Sequence, residues 1–109
     1  MLDLIYKVLP KVADWVIKNV PVIISFLEHV LKFFKELKLD RSKETPFVIQ
    51  GDLFRKLLRQ APVKGAGIFE AVYDEEFDEI FASRELQSEG VDQQTKERLS
   101  QGDGMFIAD

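Results

Sequence analysis

Cysteine is missing from the 109 residues. Its absence excludes disulfides, thiolate metal sites and a cysteine nucleophile, and it fits a reducing compartment. Histidine is nearly missing. His29 stands alone, and one imidazole without thiolates cannot build a typical zinc site. Long apolar runs are also missing: the longest stretch without a charge, residues 19–27, is nine residues. A bilayer-spanning helix needs about 20. The opening Met-Leu-Asp-Leu-Ile-Tyr-Lys has no basic n-region, so no secretory signal is expected. Lys64-Gly-Ala-Gly67 has no Gly-Lys-Ser/Thr and no buried strand before it, which makes it a hinge or helix-start turn and not a phosphate loop. EF-hand spacing and Glu-x-x-His are absent as well. No enzyme, cofactor, metal or small-molecule substrate is expected.

What is present is apolar and aromatic. Hydrophobic residues make up 46% of the chain and nine of them are Phe, each able to bury ~150–250 Å². That is ample for one core. The net charge of −4 hides a split: residues 1–65 carry a net +5 and residues 66–109 a net −9. Nucleic acid is therefore not an expected partner of the whole chain.

Residues 2–39 fit a helical wheel. Asp3, Lys7, Lys11, Asp14, Lys18, Glu28, His29, Lys32, Lys35 and Glu36, with Pro10, Pro21 and Ser25, share an arc of about 120°. Leu, Ile, Val, Phe and Trp fill an arc of about 200°, twice what one core contact requires. Residues 2–12 and 13–23 align as 11-residue quasi-repeats, with Asp3 over Asp14, Lys7 over Lys18 and Pro10 over Pro21. The pattern predicts an all-α protein. An N-terminal amphipathic helical segment (1–39), kinked at Pro10 and Pro21 or folded into an αα-hairpin at Pro21, leads to a linker (40–51) with an extended piece from Phe47 to Gln50. A small helical unit (52–101) follows, with helices from Asp52 to Ala61, from Ile68 to Leu86 and from Asp92 to Ser100. Gly102-Asp-Gly104 then breaks the chain before an apolar hook in the tail (102–109).

Three sets of residues are candidates for function. The apolar arc is an expected interaction surface: Leu2, Ile5, Leu9, Val12, Trp15, Val16, Ile23, Phe26, Leu27, Val30, Leu31, Phe33, Phe34 and Leu37. Phe69, Tyr73, Phe77 and Phe81, spaced by four, form a second stripe, core or docking surface, backed by a solvated acidic face at Asp74, Glu75 and Asp78. Glu76 falls inside that aromatic stripe, where a lone carboxylate needs a cation. Arg55 and Arg59 are the candidate partners for a buried ion pair. Arg41, Lys43, Lys56 and Lys64 extend them into a basic patch.

The function expected from these features is a non-enzymatic helical interaction or assembly protein, burying its N-terminal apolar surface against copies of itself or a protein partner. The alternative is a peripheral membrane protein whose N-terminal amphipathic helices lie in the lipid interface. A third is an acidic inhibitor or immunity-type protein. An intracellular site or a place within an assembled particle is favoured, with the membrane periphery as the alternative.

Overall fold

The computed structural model describes residues 2–61 and 66–108. Among these residues five strands form one mixed sheet in the order β1-β4-β3-β2-β5, so the fold is α/β and the all-α expectation is overturned. In chain order the elements are α1 (Leu2–Val8), a 3₁₀ turn (Leu9–Lys11), β1 (Val16–Asn19) and a π-helical stretch (Phe26–Leu31) that continues as α2 (Lys32–Glu36). They are followed by β2 (Glu44–Gln50), α3 (Gly51–Leu57), β3 (Ala66–Asp74), β4 (Glu79–Ser88), α4 (Gln93–Gln101) and β5 (Met105–Ile107). β1 runs parallel to β4, and every other pairing is antiparallel.

The largest correction falls on residues 68–86. They form a hairpin and not a helix: Ile68 pairs with Leu86, Phe69 with Glu85 and Tyr73 with Ile80. Strand alternation sends Ile68, Glu70 and Val72 to one face of the sheet and Phe69, Ala71 and Tyr73 to the other. Between Arg84 and Phe81 the register shifts opposite Ala71, and Ala82 takes the left-handed conformation (φ 50°). This bulge has a consequence for packing. Phe81 and Arg84 are three apart and would otherwise face opposite sides; the extra residue turns both toward the side of Val72 and Glu70.

The N-terminal 39 residues are likewise divided. Val16 to Asn19 are a strand, and Pro21 interrupts the edge after it. α1 lies on the sheet face of Phe47 and Phe69, beside Phe54 of α3, with Ile5, Val8 and Leu9 buried there. The π-helical stretch and α2 cover the opposite face, burying Phe26, Val30 and Phe34 against Val48, Ile68, Val72 and Leu86. The wide apolar arc is thus covered from more than one side because its residues lie on both sides of a sheet.

Local signals hold better further on. The extended piece from Phe47 to Gln50 is the second half of β2, and the apolar hook at Met105 pairs as β5 with Phe47, Val48 and Ile49. Asp92 caps α4, its Oδ1 accepting from the Thr95 N–H at 3.0 Å; its Oδ2 accepts the Phe26 N–H of the π-helical stretch at 2.9 Å. Burial works against the charge of Asp92, but the hydrogen bonds from Thr95 and Phe26 and the nearby His29 bring its carboxyl below the usual range. One carboxylate therefore ties two helix starts together.

Candidate functional site

β1 is an edge strand, and all four of its residues are exposed. The chain from Val16 to Ile24 lies along the outer side of β4 and the turn after it. Val20 N–H donates to Gln87 O (2.8 Å) and Ile24 N–H to Gly90 O (2.9 Å). Because strand backbone groups alternate in direction, the inward donor at Val20 leaves the N–H and C=O groups of Ile17 and Asn19 pointing to the open side. Side chains along this edge are aliphatic. Val16 is 66% exposed and Ile17 50%, with Val22 and Ile23 also exposed and Leu27 at 63% in the π-helical stretch that follows. Lys18 and Pro21 are residues that usually blunt an edge; the aliphatics beside them do the opposite.

Two buried carboxyl–guanidinium contacts anchor the strands behind this edge. Glu85, fully buried on β4, accepts from Arg55 Nη2 at 2.7 Å and Nε at 3.1 Å. Trp15, immediately before β1, donates its indole N–H to Glu85 Oε1 at 2.9 Å, and Gln87 donates to Oε2 at 3.3 Å. Trp15 also packs edge-on to Phe54 and Phe69, whose rings stack with centroids 3.8 Å apart. On the opposite face Arg84 Nε donates to Glu70 Oε1 at 2.9 Å, while its Nη2 reaches the His29 carbonyl at 2.7 Å and its guanidinium lies over the Phe33 ring. Glu70 Oε2 has no hydrogen-bond partner. Burial pushes the Glu70 carboxyl up to about 8, even though the charges of Arg84 and Lys18 act in the other direction.

The expected interaction residues distribute unevenly. Ile5 and Leu9 are buried on the α1 side of the sheet, with Leu2, Val12 and Trp15 half-buried beside them. Phe26, Val30 and Phe34 are buried on the other side, where Leu31, Phe33 and Leu37 are half-buried. Of that set Val16, Ile23 and Leu27 face solvent. The second stripe is dispersed: Phe69 and Tyr73 lie in one core, Phe81 packs against the other, and Phe77 is exposed at the hairpin tip.

The expected buried pair of Glu76 with Arg55 or Arg59 does not form. Glu76 lies in the β3–β4 turn with its side chain 55% exposed, 3.6 Å from Lys43, and Arg59 is exposed. The buried carboxylates are Glu70 and Glu85, which a strand's period of two brings inward and a helix's period does not. His29 is half-buried, its Nδ1 accepting the Ser25 N–H at 2.8 Å. The Lys64–Gly67 turn and the Lys64 end of the basic patch fall partly on residues 62–65, outside the described residues.

No family model, curated protein or solved structure matches this chain. Among the described residues no group of three or more His, Asp and Glu could hold a metal ion, and no helix is long and apolar enough to cross a membrane.

Proposed function

We propose that the chain is a non-enzymatic assembly protein that docks through its open β1 edge against a second copy of itself. The observation that carries this is the coincidence of outward-pointing backbone groups at Ile17 and Asn19 with exposed Val16, Ile17, Val22 and Ile23 along the same edge. Strand addition supplies main-chain hydrogen bonds, and flanking aliphatics supply apolar burial.

Symmetry selects the register. Two copies related by a two-fold axis pair β1 antiparallel, and only residues of matching direction meet. Centring on Ile17 makes it a hydrogen-bonded pair with the second copy's Ile17 and sets Val16 opposite Lys18. Centring on Lys18 would set two ammonium groups against each other, which costs stability. A centre on Asn19 would set Ile17 opposite Pro21, which has no N–H to donate, and this leaves Ile17 as the centre of the proposed interface. The membrane-surface alternative calls on N-terminal amphipathic helices, whereas residues 2–39 hold a strand between short helices; the open edge favours the assembly reading.

Light scattering in detergent-free buffer tests the proposal. The native chain should exceed the 12.6 kDa monomer mass at micromolar concentration, and Ile17→Lys should lower the mass while leaving the circular dichroism unchanged. A native chain that stays monomeric at high concentration, or an Ile17→Lys chain that assembles as before, would overturn it.

A further inference from the structure

The β3–β4 hairpin ends in Asp74-Glu75-Glu76-Phe77-Asp78-Glu79, and Phe77 is 67% exposed, the most exposed aromatic among the described residues. The tip is pinned from within. Asp74 Oδ1 accepts the N–H groups of Glu76 (2.9 Å) and Phe77 (3.3 Å), and Tyr73 donates its hydroxyl to Asp78 at 2.5 Å. An exposed ring on a pre-ordered turn loses little freedom on docking, which is how binding anchors are built.

The same end of the sheet carries a complementary hole. A cleft of about 250 Å³ opens between Leu31, Phe34, Leu39 and Ala108, with Lys35 and Arg41 on its lining. An apolar cavity of about 150 Å³ accepts a benzene ring, so a phenyl side chain fits. The cleft is apolar with Lys35 beside it; the knob is apolar with carboxylates beside it. The two also lie next to each other: Pro46, on the cleft wall, pairs with Val72, and Glu75 N–H donates to Lys43 O at 2.9 Å. One two-fold axis near this end can therefore seat each copy's knob in the other's hole.

We infer that Phe77 is a plug that inserts into the Leu31–Phe34–Leu39 cleft of a second copy, with the acidic tip held by Lys35. This interface is separate from the β1 edge and does not depend on it. A chain bearing two different isologous surfaces builds either a closed tetramer or an open fibre, because each two-fold joins a different pair of copies.

Sedimentation of the full chain tests this in two backgrounds, native and Ile17→Lys, the latter with the β1 edge blocked. Phe77→Ser and Lys35→Glu are both at exposed positions and leave the cores untouched. In each background either substitution should weaken self-association at least about tenfold. Raising salt to about 1 M should weaken it as well, since the contacts are ionic at their rim. Self-association that is indifferent to both substitutions, or absent in both backgrounds, overturns the plug. Loss of association by Ile17→Lys alone overturns only its independence from the edge and is read separately from the Phe77 result.

Discussion

Arg55 and Glu85 form a two-pronged ion pair across the sheet face covered by α3, with Nη2–Oε1 at 2.7 Å and Nε–Oε2 at 3.1 Å, and neither side chain is more than 11% exposed. Arg55 comes from α3 and Glu85 from β4, and Trp15 adds a third hydrogen bond from the chain just before β1. The pair thus joins the helix to the sheet at the place where the edge strand begins.

Removing one member should leave an uncompensated buried charge, at a cost of about 3–5 kcal/mol. We expect Glu85→Ala and Arg55→Ala to lose that much in denaturant unfolding, and Glu85→Ala to shift Trp15 emission to the red. Arg55→Met combined with Glu85→Leu should cost far less than the two single losses added. Glu76→Gln, at an exposed turn, should stay within ~0.5 kcal/mol. Similar losses at Glu76 and Glu85 would contradict the strand register.

Glu70 gives stability a pH dependence of defined sign. Its carboxyl is raised from 4.5 to about 8 by burial. Below 4.5 both states hold the proton. Between 4.5 and 8 the unfolded chain releases it and the folded chain keeps it, so stability falls as pH rises through this window. Glu70→Gln cannot titrate, and its stability relative to the native chain should rise by more than ~1 kcal/mol between pH 5 and pH 8. Parallel pH profiles for the two proteins would show that Glu70 is ionised throughout.

Gly102 follows α4, and a Cβ there would lie 1.8 Å from the Met105 carbonyl oxygen. Both groups are backbone-bound, so one of them must move. Gly102→Ala should destabilise the protein by more than ~2 kcal/mol, because the turn that returns β5 to β2 cannot relax without unpairing Met105 from Ile49. Gly90→Ala meets only the end of the Ile23 side chain, at 3.2 Å, and should be mild by comparison.

The parts of the fold legible in the sequence are those with local punctuation. Asp92 caps α4, Gly102-Asp-Gly104 ends it, and the run Phe47-Val-Ile-Gln50 reads as extended without help from elsewhere. The hairpin is disguised in the sequence because Phe69, Tyr73, Phe77 and Phe81 are four apart, a spacing close to a helical turn and also a multiple of the strand's two. Ile68, Val72, Tyr73, Ile80 and Phe81 supplied the β-branched and aromatic bias that could have decided it. The position of Glu76 followed from the helical register and was lost with it. β1 is not legible in the sequence because Val16-Ile17-Lys18-Asn19 sits inside an amphipathic pattern, and its parallel partner, Arg84 to Gln87, lies far along the chain. Pairing at that separation leaves no local trace. The exposed Val16, Ile23 and Leu27 belong to the surface the sequence predicts, whereas only the edge itself distinguishes Ile17 and Val22.

The most direct measurement of assembly through the edge is amide hydrogen exchange at Ile17 and Asn19 across a range of protein concentrations. Their N–H groups point away from β4, so in the monomer they exchange freely. If β1 pairs with β1 of a second copy, exchange at both amides slows as the light-scattering mass rises, and Ile17→Lys abolishes the slowing at Asn19. Amides at Ile17 and Asn19 that exchange equally fast at low and high mass would contradict the account.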